Sequence, residues 1–160
     1  MKKIIILENI RSAYNVGNII RTADALWWDV WMTGYTPTPA DSARIGKSAL
    51  WAQDHVPLQS FVTTEQAIAS AKELWCHVIA AEVTADAKNL RNYKSPPAPL
   101  WQGESESSIA VVFWNEVVGV DPLILASVDA VVFISMQGHK ESLNVGQTAA
   151  IFMWELGDKN

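Results

Sequence analysis

The feature that most constrains this chain is a series of short apolar runs: Ile4 to Leu7, Val30 to Met32, His77 to Ala81, Ile109 to Phe113 and Ala130 to Ile134. Runs of this length with little polar alternation fit strands buried on both faces, as parallel sheets require. Between them, apolar residues recur at helical spacing, as in Ile19, Ile20, Ala23 and Leu26, and in Val145, Ala149, Phe152 and Leu156. Thr63 with Gln66 matches a capping box, and Ala67, Ile68, Ala71 and Leu74 extend it into a helix from about residue 64 to 74. Ser42 to Leu50 suits a short surface helix. Asp121-Pro122 opens another that runs to about Ser127, because Asp can cap free amides and Pro fits the first helical turn. Residues 84 to 108 are polar and rich in Pro, Ser and Glu, which predicts a long loop. Five strands alternating with helices predict an α/β fold with a mainly parallel sheet covered by helices on both faces. At 160 residues and 49% hydrophobic content, one core fits, so 1–160 reads as a single domain.

The formal charge of −5 argues against holding nucleic acid by broad attraction, since nonspecific affinity comes from Lys and Arg displacing counterions. Basic surface must then be local, or assembled across subunits. Cys76 is the single cysteine, so there is no internal disulfide, and with His55, His77 and His139 scattered, no metal site is expected. The start Met1-Lys2-Lys3, followed by four apolar residues before Glu8, is too short for a leader or membrane span, which makes a cytoplasmic protein the default. Gly46-Lys47-Ser48 resembles the end of a phosphate-binding loop, but position 41, where that motif has glycine, is Asp. No dinucleotide fingerprint of glycines follows any strand.

Ligands on open parallel sheets sit beyond the carboxyl ends of strands, here the loops after Leu7, Ala81, Phe113 and Ile134. Three segments lie there. In the first, Asn15-Val16-Gly17-Asn18 opens a helix that presents Arg21. In the second, the strand from Val111 delivers Trp114-Asn115-Glu116 into a loop reaching Gly119. The third runs Ile134-Ser135-Met136-Gln137-Gly138-His139-Lys140-Glu141-Ser142-Leu143-Asn144-Val145 into the last helix. Each residue has a plain reading: Arg21 as a surface arginine, Glu116 as a solvated carboxylate, Ser142 or Asn144 as a helix cap.

Together the three segments resemble the signature motifs of the SpoU/TrmH-type RNA 2′-O-ribose methyltransferases of the SPOUT superfamily, over Glu8 to Leu156. The resemblance implies a C-terminal deep trefoil knot and a homodimer packed through the first and last helices. The apolar Phe152, Met153 and Trp154 on more than one face of the last helix suit such packing. It implies S-adenosylmethionine as cofactor, held among Ala81, Glu82, Trp114, Asn115, Glu116, Gly119, Ile134, Met136, Ser142, Leu143 and Asn144. It places Arg21 near the target ribose, with Asn15, Glu116, Ser142 and Asn144 arranging the site. The substrate is RNA, tRNA ahead of rRNA, chosen by this domain or by a partner, since no added RNA-binding domain precedes Met1 or follows Asn160. The alternatives are a noncatalytic knotted scaffold that binds RNA or protein, and an unrelated α/β enzyme, which would not dimerise.

The chain departs from the family pattern at tryptophan. Trp114 stands where the motif has glycine before Asn-Glu, and an indole there enters the space where backbone approaches the cofactor. Trp27, Trp51 and Trp75 also occupy expected glycine positions, after the first helix, after Ser48-Ala49-Leu50 and at the stop of the Thr63 helix; Trp101 is a weaker case. Eight tryptophans are many for 160 residues. A code in which UGA means glycine, translated with a table in which it means tryptophan, explains the set. Ser135 replaces a proline usual in the family.

Overall fold

The computed structural model describes residues 1–94, 108–115 and 121–157. In chain order the main elements are β1 (Lys3–Glu8), α1 (Ala13–Leu26), β2 (Asp29–Thr33), α2 (Ala43–Ala49), β3 (Leu58–Phe61), α3 (Thr64–Glu73), β4 (His77–Ala81), β5 (Lys88–Asn89), β6 (Ile109–Trp114), α4 (Pro122–Ser127), β7 (Ala130–Phe133) and α5 (Val145–Glu155). Among the described residues the sheet has seven strands in the order β3-β2-β1-β6-β4-β7-β5. Every pairing is parallel.

Two strands exceed the sequence expectation. β3 is a half-exposed edge strand, Leu58-Gln59-Ser60-Phe61, which lacks the apolar run of a buried strand. β5 is two residues long and lies inside the stretch expected to be a plain loop, which also holds a 3₁₀ turn at Leu90–Asn92. Both are added at the sheet's edges, where backbone pairing needs little side-chain burial.

Helices cover both faces. One core joins Ile5, Leu7, Val30, Ile79, Val111 and Phe113 of the strands to Ile19, Ile20, Ile45, Ala149 and Phe152 of α1, α2 and α5. The other joins Ile4, Ile6, Trp31, Val78 and Val112 to Ala67, Ile68 and Ala71 of α3 and Ile124 of α4. This alternation along each strand follows from the two-residue period of the pleat. Close approach of α1 to α2 depends on Gly17, where a Cβ would meet the Ser48 Oγ and the Ile45 carbonyl.

Helix ends follow the sequence signals. Thr63 and Gln66 make both halves of the capping box, and Asp121 accepts from the Leu123 amide with Pro122 in the first turn. The exits are different. Trp27 (φ 58°) ends α1, Trp51 (φ 72°) follows α2, and Trp75 (φ 61°) follows α3, all in the left-handed region. After α3 the Trp75 amide donates to the Lys72 carbonyl and the Cys76 amide to that of Ala71, the bond pair of a helix stop usually built on glycine. A side chain in that conformation costs about 1–2 kcal/mol.

Candidate active site

The carboxyl ends of β4, β6 and β7 open into a cleft of about 250 Å³. Ala81 and Glu82 come from the end of β4, Phe113 to Asn115 from β6, Val132 to Ile134 and Met136 from β7, and Ser142 and Leu143 from the approach to α5. α5 forms the remaining wall with Val145, Thr148 and Phe152, and an edge-to-face contact at 5.4 Å between Phe113 and Phe152 seats it over β6.

Of the residues implicated from the sequence, Ala81, Glu82, Trp114, Asn115, Ile134, Met136, Ser142 and Leu143 line this cleft. Glu116 and Gly119 lie outside the described residues. Asn144 does not line the cleft. It caps α5, its Oδ1 accepting from the Gly146 amide at 2.9 Å, and its Nδ2 donates to the Asn15 Oδ1 at 3.3 Å. The first and third segments, 129 residues apart at that pair, thus meet through two amide side chains. Arg21 is exposed on α1 and pairs with nothing among the described residues.

Trp114, 8% exposed, donates from Nε1 to the Glu82 Oε2 at 2.8 Å, while the Glu82 Oε1 accepts from the Val83 amide. The indole therefore walls the cleft and occupies one carboxylate oxygen facing it. At about 250 Å³ the cleft lies just below the range of about 300–1,000 Å³ usual for ligand pockets.

Three features escaped the sequence reading. Glu8 ends β1 level with Trp114, and burial, then the nearby Glu65 and Asp121, push its carboxyl up to about 7. Its Oε2 is buried and has no hydrogen-bond partner among the described residues. The second feature is a bridge: the Asn115 Nδ2 donates to the Tyr35 hydroxyl at 3.1 Å, and the Arg11 guanidinium lies 5.6 Å over the Tyr35 ring. These hydrogen bonds, Asn115 first and Arg11 second, lower the Tyr35 pKa. The third is a concave surface where Arg11, Arg44 and Lys47 gather beside Tyr14 and Ser42. Arg11 belongs to both, so the bridge links this basic surface to the cleft rim.

Among the described residues no three His, Cys, Asp or Glu side chains are grouped to hold a metal, and no helix is long and apolar enough to cross a membrane. Cys76 is buried, which raises its thiol to about 11.

The chain is 28% identical over 156 residues to a TrmH family tRNA/rRNA methyltransferase of Staphylococcus haemolyticus, covering 98% of this chain and 58% of that protein. It is also 28% identical over 155 residues to the Bacillus subtilis 23S rRNA (guanosine(2553)-2′-O)-methyltransferase RlmP, covering 97% and 58%. It thus spans little more than half the length of these relatives. Its fold matches the AdoMet-bound rRNA methyltransferase of Sinorhizobium meliloti with a TM-score of 0.82 at 22% identity, over 96% of this chain and 55% of that one. The SpoU rRNA Methylase family signature matches residues 2–154, nearly the whole fold described above, and the chain belongs to that family.

Proposed function

We propose that this chain transfers a methyl group from S-adenosylmethionine to a ribose 2′-hydroxyl of an RNA. The observation that carries the proposal is the cleft at the carboxyl ends of β4, β6 and β7, closed by Ser142 and Leu143, with Asn144 tied to Asn15 beside it. Phe113, Val132, Ile134 and Leu143 offer apolar walls for a purine, and the Glu82 carboxylate can accept from a ribose diol. That lining suits the cofactor at every described position except Trp114.

Bound there, S-adenosylmethionine supplies an electrophilic methyl carbon on a sulfonium. The chain's own task is to hold a weakly acidic hydroxyl in line with that carbon, and such positioning supplies much of the rate. Arg21, exposed on α1, acts as electrostatic partner of the developing alkoxide or the adjoining phosphate; a guanidinium is too basic to be an effective proton acceptor. Asn15, Glu116, Ser142 and Asn144 arrange the ribose. The active unit is a homodimer with a C-terminal deep trefoil knot, in the cytoplasm, and Arg21 completes the site across the subunit pair. Although the chain carries net charge −5, the Arg11, Arg44 and Lys47 surface gives RNA phosphates a local landing place joined to the cleft.

Mass spectrometry of nucleosides from tRNA and rRNA incubated with the protein and labelled cofactor tests this directly. A 2′-O-methylated nucleoside is expected, tRNA being the first substrate to try. Absence of label in both RNAs, with cofactor bound, refutes it. One observation favours a noncatalytic scaffold instead: the Trp114 indole bonded to Glu82 inside the cleft.

A further inference from the structure

Tryptophan and the left-handed backbone coincide in this chain. Among the described residues, five other than glycine have positive φ: Asn9, Trp27, Leu50, Trp51 and Trp75. Three of the five are tryptophan, although only eight of 160 residues are. Asn tolerates the region and Leu50 is a single exception, but a bulky aromatic there is an outlier. Chance placement does not gather three such residues.

These indoles are also largely exposed. Trp27, Trp51 and Trp75 are 86%, 77% and 60% exposed, and none of them belongs to either hydrophobic core. Trp28 and Trp31 behave oppositely. They are 1% and 4% exposed, both belong to the hydrophobic cores, and Trp31 packs 4.9 Å from Phe61. Trp28 and Trp31 are thus required by the core, whereas Trp27, Trp51 and Trp75 sit where the backbone favours glycine; Trp154, exposed on α5, belongs to neither group. Trp114 is set apart by the site instead: it lies in a regular strand, and its indole narrows the cleft and takes up Glu82.

We infer that the native polypeptide carries glycine at positions 27, 51, 75 and 114, encoded by UGA triplets read as glycine, and that glycine at 114 opens the methyl-donor cleft. Without the indole the Glu82 Oε2 is released, the β6 backbone becomes approachable, and the cleft widens beside the Ser142 segment. At 27, 51 and 75 the first part stands on backbone geometry, and at 114 on the indole's place in the cleft. The second rests on the proposed cofactor, and the two are tested separately.

The codons decide the first part. UGA at 27, 51, 75 and 114, with UGG at 28 and 31, is expected; UGG at any of those four positions overturns the assignment there. Peptide mass spectrometry of the protein from its own cells must show glycine at these positions, and tryptophan there overturns the decoding. In a host that stops at UGA, the unaltered gene should end the chain after Leu26.

For the second part, calorimetry compares the tryptophan chain with its W114G variant, using S-adenosylmethionine as the titrant. The glycine form should bind at least about tenfold tighter. Equal binding by both chains overturns the opening of the cleft and leaves the methyltransferase reading intact. No binding by either sinks the cofactor reading while the codon result stands.

Discussion

Glu8 places a pH-dependent weakness at the edge of the candidate site. Its carboxyl sits at about 7 in the folded chain against a usual 4.5, chiefly because burial penalises the anion, with Glu65 and Asp121 adding repulsion. A carboxyl raised by folding binds its proton more tightly in the native state. The stability this contributes is fully present below the unfolded value and is lost as pH rises through the folded one. The difference of 2.5 units, 7 minus 4.5, corresponds to about 3.4 kcal/mol as an upper bound at about 1.36 kcal/mol per unit. Glu8 is only half-buried, and solvent screening brings this to about 1–2 kcal/mol. Glu8→Gln removes the titration. Urea midpoints measured from about pH 5 to about pH 8 should show the parent losing about 1–2 kcal/mol relative to the variant as pH rises. The His77 pKa is lowered mainly by burial, but His77 is common to both chains and cancels in the difference. Parallel pH profiles for parent and Glu8→Gln would refute the reasoning, because they would mean the carboxylate reaches water at no cost.

Gly17→Ala forces a methyl onto the Ser48 Oγ and the Ile45 carbonyl, and should lower stability by about 1–3 kcal/mol in urea unfolding as α1 moves from α2. Thr63→Ala removes the α3 capping box and should cost about 1 kcal/mol, read as a lower melting temperature. Trp75→Gly should do the reverse: relief of about 1–2 kcal/mol of left-handed strain exceeds the extra unfolded-state freedom of glycine, for a net gain of up to about 1 kcal/mol. Arg21→Ala should abolish methylation while leaving S-adenosylmethionine affinity unchanged by calorimetry; full turnover would remove Arg21 from the mechanism.

What was legible follows from where the driving force lies. β1, β4 and β6 are buried on both faces, so they must be apolar throughout and stand out in the sequence. β3 and β5 are held at the edges largely by backbone bonds, which leave little mark on side-chain choice. Glu8 was missed for a related reason. A charged residue closing an apolar run reads as the boundary of the strand, and only the fold shows that the strand carries it into a half-buried position beside Trp114. The Asn115, Tyr35 and Arg11 bridge joins three loops, and the Asn144 to Asn15 bond spans nearly the whole chain. No local period encodes either. Family resemblance singled out Asn15 and Asn144, but their bond to one another is a property of the fold.

Glycine positions are a different case, because helix stops constrain the backbone and leave a trace that a wrong side chain cannot erase. At the end of α3 the amides of Trp75 and Cys76 reach back to the Lys72 and Ala71 carbonyls, and that bond pattern demands a positive φ at residue 75 whatever occupies it. At 27 and 51 the left-handed backbone is occupied by indoles that are largely exposed and lie outside both cores. Position 114 carries the functional half of the argument. Its backbone lies in a regular strand that tolerates any residue, so no strain marks it, and its indole is well enough packed to pass as core. What sets it apart is its bond to Glu82 within the cleft, a contact that stabilises the fold of the tryptophan chain while narrowing the proposed cofactor's place. Stability and cofactor affinity should therefore move in opposite directions at 114, and together with neither at 27, 51 and 75, where glycine should raise stability and leave affinity alone.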